Sequence, residues 1–261
     1  MKKNCLLCFL LFFSCHSALA GESLDSLLNV LDKTIKEADT YVQIKENKLH
    51  ELKKEARKTP PFSVERYNLN NDIYLEYKAY SSDSALHYLN ENMLLARQLN
   101  DKERELKIQL ELSYLLSSIG MYMEAADILN SIDRQTLPSS LLGHYYTCYE
   151  HVYFEAGAAQ PRYKMFASRY VKLSHAYRDS MQITLDPSSA TYLWLRETQL
   201  REAGKYDEAL EFSDRRLAES SFGTPQYALV AYQRFRLFES MGKKDEHLYY
   251  LVLSCLLYTS D

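Results

Sequence analysis

Apolar residues recur at steps of three and four along almost the whole chain, which is the spacing of one face of an α-helix. The first run, within residues 22–58, contains Leu24, Leu27, Leu28, Leu31, Ile35, Ala38, Val42, Leu49, Leu52 and Ala56. It ends at Thr59-Pro60-Pro61, because proline breaks the helical hydrogen-bond ladder and disfavours helix in the preceding residue. We expect one long helix over residues 21–60 that caps the rest of the chain, with pairing to a second chain as the alternative.

From Phe62 the same spacing occurs in pairs of helices separated by short turns. The predicted turns lie at Tyr80, Gly120, Gly157, Gly204 and Gly242, at intervals of 40, 37, 47 and 38 residues. Glycine closes a helix by taking the left-handed conformation, so Gly204 is expected to have a positive φ. Helix pairs of this kind bury their apolar faces against the neighbouring pairs. Residues 61–254 are therefore predicted to form an all-α solenoid of about five helix pairs.

Two of the glycine turns share a longer motif, in which tyrosine follows glycine by two residues and alanine follows it by five. The motif occurs as Gly120-x-Tyr122-x-x-Ala125 and as Gly204-x-Tyr206-x-x-Ala209. With Trp194 on the preceding helix, it resembles the tetratricopeptide repeat, a helix pair of about 34 residues. The other glycine turns match in part. The resemblance covers residues 62–254 and implies a repeat array that binds proteins or peptides.

A second, narrower resemblance rests on the first helix pair and on the order of the segments. Residues 80–90 read Tyr-Ser-Ser-Asp-Ser-Ala-Leu-His-Tyr-Leu-Asn, and residues 94–99 read Leu-Leu-Ala-Arg-Gln-Leu. With a signal peptide and a long helix before them, they resemble the sensor half of membrane-anchored transcriptional regulators of Bacteroidetes. The resemblance implies a downstream transmembrane helix, a coiled coil and a DNA-binding domain, so the chain is expected to be a truncated fragment of such a regulator.

The two ends of the chain have their own signals. Lys2 and Lys3, the apolar run 5–13 and Ala18-Leu19-Ala20 have the order of a secretory signal peptide over residues 1–20, which predicts cleavage before Gly21. The alternative is a lipoprotein acylated at Cys15. Residues 255–261, Cys-Leu-Leu-Tyr-Thr-Ser-Asp, resemble the translated end of a sequencing adapter, so we expect the natural sequence to differ beyond Ser254.

Motifs for enzyme chemistry are missing from the sequence. Its seven glycines lie mostly at turns, and no phosphate-binding or nucleophile-elbow motif occurs. With 31 basic and 35 acidic residues, the chain does not have the basic balance typical of nucleic-acid binding. His144, Cys148, His151 and Glu155 share a helix face, but seven helical residues span about 10 Å, too far for all of them to share one zinc ion. Cys148 with one of the two histidines could form a two-ligand clip, which would need further ligands from elsewhere in the chain. We predict no catalytic residue, no cofactor and no metal.

The tetratricopeptide resemblance also implies which side chains face a ligand, because the first helix of each pair lines a concave groove. Positions 13, 10, 6 and 3 residues before each turn glycine should face that groove. The candidate groove residues are Lys107, Tyr114, His144, His151, Phe154, Trp194, Arg201, Tyr232 and Arg236. Aromatic anchors mixed with cations suit a peptide or protein segment. The alternatives are an ordinary polar helix face and, for Trp194, a core position between repeats.

The sequence thus predicts an exported binding module whose candidate partners are a peptide or protein segment and a second copy of the chain in a homo-oligomer. By resemblance it is the periplasmic sensor of a regulator tethered to the inner membrane by a segment beyond this chain, with DNA contacted only by a further domain. The alternative is a free or lipid-anchored periplasmic scaffold for envelope assembly. The identity of the ligand is not encoded in any motif that we recognise.

Overall fold

The computed structural model of the protein describes residues 24–159, 162–222 and 224–259. The predicted signal peptide, with Cys15, lies outside these residues. Within them, the regular structure is helical: α1 (Leu24–Lys36), α2 (Ala38–Lys58), α3 (Val64–Tyr77), α4 (Ser82–Gln98), α5 (Lys102–Ser118), α6 (Tyr122–Ser131), α7 (Ser139–Ala158), α8 (Lys164–Thr184), α9 (Ala190–Glu202), α10 (Tyr206–Glu219), α11 (Pro225–Met241) and α12 (Lys244–Thr259). Helices α3 to α12 form five successive pairs, so the predicted all-α repeat architecture is confirmed.

Polar caps and left-handed residues set the ends of these helices. Ser63, Asp101 and Thr224 each accept a hydrogen bond from a backbone N–H of the first helical turn that follows. Gly120, Gly204 and Gly242 have φ values of 91°, 74° and 72°, which a side chain with a Cβ atom adopts only at a cost. These three glycines separate the two helices of the second, fourth and fifth pairs.

Gly157 is the turn position that the sequence assigned wrongly. It lies inside the last turn of α7, which continues to Ala158 and is capped by Ala159. A Cβ atom on Gly157 would lie 3.4 Å from Cβ of Tyr170. The residue is buried at the contact between α7 and α8, where a Cβ would just fit, and it is helical instead of left-handed.

The N-terminal segment is helical, as predicted, but it is divided at Glu37 into α1 and α2. Its two parts contribute to different apolar cores. Leu49 and Ala56 of α2 are buried with α3 and α4, whereas Leu27 of α1 is buried with α11 and α12. The pattern of apolar residues runs through Glu37 without interruption, which is why the sequence predicts a single helix.

The chain divides into two compact units, and the division falls inside α2 and inside α9. The continuous unit comprises residues 45–195. One of its cores is formed by α2 to α5, and the other by α5 to α9, with Leu110, Leu129, Val152, Met181 and Leu195 among its fully buried side chains. Between α7 and α8 the tyrosines stack, with the rings of Tyr149 and Tyr177 4.6 Å apart at an interplanar angle of 3°. Much of the tyrosine content of this unit is therefore used in packing.

Of the described residues, 24–44, 196–222 and 224–259 belong to the terminal unit, which therefore contains both ends of the described chain. Helix α1 packs against α11 and α12 through Leu27 and Leu31. Buried polar side chains connect successive helices of this unit. Arg216 of α10 donates to Glu197 of α9 at 2.5 Å and also to Gln233 of α11. Arg234 of α11 donates to Asp214 of α10 at 2.6 Å, so each buried guanidinium group has a carboxylate partner.

Candidate ligand-binding face on the first helices

Three consecutive first helices of the continuous unit, α3, α5 and α7, meet through a cluster of polar and aromatic side chains. The Tyr74 hydroxyl donates a hydrogen bond to Oε2 of Glu111 at 2.6 Å, and Nζ of Lys78 donates to the same oxygen at 3.0 Å. Nε2 of His144 lies 3.6 Å from the other oxygen, Oε1. We call Tyr74, Lys78, Glu111, Tyr114, His144 and His151 the first-helix cluster.

The protonation states of Glu111 and His144 depend on their partial burial and on the charged groups beside them. Burial by itself would raise the pKa of Glu111, but Lys78, His144 and the Tyr74 hydroxyl outweigh it, and the pKa of this carboxyl is lowered. Burial lowers the pKa of His144, although Glu111 opposes the change. Near neutral pH, Glu111 is therefore ionised and paired with Lys78, while His144 is a neutral imidazole with one donor and one acceptor.

A stacked pair of rings forms the second half of the cluster. The rings of Tyr114 and His151 are 3.9 Å apart and almost parallel, and Nζ of Lys78 lies 4.8 Å from the centre of the Tyr114 ring. The Ser118 hydroxyl lies 2.9 Å from both the Tyr114 carbonyl oxygen and Nε2 of His151. If its single proton goes to the carbonyl, Nε2 of His151 is the donor of this pair. Burial, aided by Lys78, lowers the pKa of His151 to about 4, so this ring is also neutral near pH 7.

The three aromatic rings of the cluster come from the same position in successive repeats. Tyr114 lies six residues before Gly120, and Tyr74 lies six residues before the predicted turn at Tyr80. The third member of the series is His151, six residues before Gly157. The cluster is therefore a row of aromatic rings on successive first helices, with Lys78 and Glu111 between the first two.

The other candidate groove residues of the continuous unit lie outside this row. Lys107 is exposed and pairs with Glu103 of its own helix at 3.2 Å. Phe154 is exposed, 6.0 Å from the guanidinium carbon of Arg178. Trp194 is partly buried and packs against the core formed by α5 to α9.

The remaining candidates, Arg201, Tyr232 and Arg236, belong to the terminal unit. Tyr232 is 40% exposed and its ring lies 5.5 Å from that of Phe235. Arg236 is exposed and pairs with Glu239 of its own helix at 3.1 Å. Arg201 is partly buried on α9. Of the nine candidates, the structure thus brings Tyr114, His144 and His151 together in the first-helix cluster.

Tyr74, Lys78 and Glu111 were missed by the sequence analysis. The sequence does indicate Tyr74, because it lies six residues before the predicted turn at Tyr80. That turn has no glycine, so the spacing from turn glycines does not include it. Lys78 and Glu111 do not occupy any of the four counted positions. Their role depends on contacts between helices more than 30 residues apart in sequence, with 33 residues separating the two side chains.

Cys148 shares a helix face with the two histidines in sequence, but it points into the core. It is fully buried, its Sγ lies 3.4 Å from the Leu110 carbonyl oxygen, and burial raises the pKa of its thiol. In the part of the chain that the structure describes, no group of three or more His, Cys, Asp or Glu side chains is placed to hold a metal ion. Cys148 is a packing residue of α7.

Paired helices with glycine turns, stacked so that first helices contact first helices, define a tetratricopeptide-repeat protein. Repeat arrays of this class bind proteins or peptides and are generally not catalytic. The model of one family, the SusR N-terminal TPR domain, matches residues 35–257. The chain therefore belongs to this family. No curated protein gives a significant match to the chain.

Proposed function

We propose that the chain is the exported sensing module of a membrane-anchored transcriptional regulator and that its first-helix cluster binds a peptide or protein segment. The proposal is supported by membership of the SusR N-terminal TPR family and by the interaction role of such repeats. The observation that carries the choice of site is the stacked pair of Tyr114 and His151 beside the Lys78–Glu111 ion pair, where three consecutive first helices meet. Tyr74 is fully buried and supports the site from below through its hydrogen bond to Glu111.

The chemistry of this cluster suits a segment of polypeptide. The two neutral imidazoles each combine a donor and an acceptor, as a peptide group does. Lys78 has three ammonium protons and donates one of them to Glu111, which leaves donors for carbonyl oxygens of a ligand. The ring of Tyr114 supplies rigid contact area of the kind that dominates binding energy at interfaces.

Export is supported by the Lys2-Lys3 pair, the apolar run and the Ala18-Leu19-Ala20 site at the N-terminus. Among the residues that the structure describes, no helix is both long enough and apolar enough to cross a membrane. In our proposal the anchor is a helix encoded beyond this chain. A mature N-terminus at Gly21 in mass spectra would support this form of export. Acylation at Cys15, in a gene that encodes no apolar run of about 20 residues downstream, would favour the envelope scaffold instead.

Peptide binding is tested by selecting a random peptide library on the folded chain and measuring the affinity of the enriched sequences. We expect Tyr114→Ala to weaken their binding by at least about tenfold, because truncating an interface anchor costs about 2 kcal/mol or more. Phe222→Ala, at an exposed ring of the terminal unit, is the matched control and should leave the affinity unchanged. Enriched peptides that bind the Tyr114 variant as tightly as the parent chain would refute the proposed site.

A further inference from the structure

The N-terminal half of α8 exposes an unusual amount of apolar surface. Tyr163, Met165 and Phe166 are 64%, 75% and 46% exposed. The opposite side of α8 is packed against α7, where Ser174 and Arg178 bind Glu150. Large apolar side chains grouped in this way on a surface mark an interaction site more often than single ones do.

The same segment has the strongest local charge asymmetry of the chain. Between Glu155 and Asp179 the sequence contains no acidic residue, although the chain as a whole has a net charge of −4. Arg162, Lys164, Arg169 and Lys172 of this stretch are exposed. None of them belongs to an ion pair found in the described residues, whereas Arg178, on the packed side, pairs with Glu150 at 2.8 Å.

Met165, Arg169 and Lys172 share one face of the helix, with Lys164 and Phe166 on either side of Met165 in sequence. A shallow depression of about 430 Å³ is lined by Met165, Ser168, Arg169, Lys172 and Leu173, which recur at the spacing of one helix face. The surface of the depression is formed mainly by carbon atoms, which include the methylene groups of Arg169 and Lys172. We name the exposed residues Arg162, Tyr163, Lys164, Met165, Phe166, Arg169 and Lys172 the α8 patch.

We infer that the α8 patch is a contact surface for a membrane containing anionic lipid. Basic side chains beside protruding apolar ones are the composition of helices that lie at a membrane surface. Lysine and arginine can keep their charged ends among the headgroups while their methylene stems and the neighbouring Met165 and Phe166 enter the apolar boundary. An acidic protein would also match the positive charges of the α8 patch. Protruding apolar side chains insert more easily into a lipid surface, which deforms around them, than into the rigid surface of a folded protein. This inference does not depend on peptide binding at the first-helix cluster.

The test measures partitioning of the full chain onto vesicles of phosphatidylcholine with and without phosphatidylglycerol. The apolar run 5–13 is common to the parent chain and all variants, so its contribution cancels when they are compared. The excess binding is the increase in partitioning that phosphatidylglycerol causes. Each basic residue near an anionic surface contributes about fivefold to partitioning at low salt. We expect Arg169→Gln/Lys172→Gln to lower the excess binding by at least about tenfold, and Met165→Ser to lower it further.

Lys102→Gln/Lys205→Gln removes two positive charges from exposed positions outside α8, at the start of α5 and just before α10, and is the matched control. This variant should keep the excess binding within about twofold of the parent chain. Equal losses in the two double variants would mean that net charge alone acts, and would overturn the α8 patch. The absence of excess binding to anionic vesicles would also overturn the proposed membrane contact. If the Arg169→Gln/Lys172→Gln variant then differed from the parent chain in self-association, the α8 patch would be a protein contact instead.

Discussion

His151 is a titratable ring held between neighbouring helices, stacked on Tyr114 and hydrogen-bonded to Ser118. Its pKa falls from 6.5 to about 4 on folding, so the unfolded chain binds more protons between these values. The stabilising contribution of the neutral ring is fully present above pH 6.5 and is lost as the pH falls towards 4.

His151→Phe keeps the stacking and removes the titration. Urea unfolding at pH 7 and pH 4.5 should show that the parent chain loses about 2–3 kcal/mol more than this variant over that range. His87→Phe, at an exposed position on α4, should follow the parent chain. Identical losses in the parent chain and the His151 variant would contradict a lowered pKa.

For single residues, the sequence predicts which positions face the first-helix cluster better than it predicts the contacts between them. Tyr114, His144 and His151 follow from counting back from glycines, because the repeat geometry is regular. Glu111 does not, since a glutamate in the middle of a helix usually faces solvent, and only the approach of Tyr74 and Lys78 from α3 makes it the centre of a cluster.

The glycines at the ends of the helices differ in what they do. Gly204 has a φ of 74°, and a Cβ atom there would meet nothing within 4 Å, so an alanine suffers only from the backbone conformation. We expect Gly204→Ala to destabilise the protein by about 1–2 kcal/mol in thermal or urea unfolding, and Gly204→Val by about 1–3 kcal/mol.

Gly157→Ala is the matched control, because Gly157 is helical and its new Cβ would make a tight but ordinary contact with Tyr170. Alanine favours a helix over glycine by about 0.5–1 kcal/mol, so this variant should be neutral or slightly stabilised. The sequence could not separate the two cases, since glycine is used both for left-handed turns and for close helix contacts.

Trp194 connects α9 to the core of the continuous unit. Because its ring packs against that core while partly buried, Trp194→Ala should lower the free energy of unfolding by about 3 kcal/mol, towards the lower end of the range for buried aromatics. Tyr232→Ala, at a more exposed ring, should cost less than about 1 kcal/mol. Thermal unfolding followed by circular dichroism distinguishes the two positions. An unchanged melting temperature for the Trp194 variant would mean that Trp194 is not a core residue and would favour the predicted groove position.

On the scale of the whole molecule, α1 joins the two ends of the described chain. Leu27 is 2% exposed and packs with Tyr227, Ala228 and Leu253. Leu27→Ala should destabilise the terminal unit by about 2–3 kcal/mol through the cavity that it leaves. Hydrogen exchange should then accelerate in α11 and α12 but not in α5 and α7, which pack within the continuous unit.

Leu28→Ala, one residue further and exposed, is the control and should leave the exchange rates unchanged. Faster exchange throughout both units would mean that they unfold together. The sequence predicts that α1 is amphipathic, but it does not indicate its partner, because Leu27 and Leu253 are separated by almost the whole chain.

The position of α1 also sets an order in which the protein can fold. Residues 45–195 are contiguous, so the continuous unit has its full set of partners once the first three helix pairs and the start of α9 have been made. Helix α1 is synthesised before them, yet its partners α11 and α12 are made after the other described helices, and closing so long a loop slows the step. We therefore expect a chain that emerges from its N-terminus to complete the first-helix cluster early and to close the terminal unit only after α12 has been made.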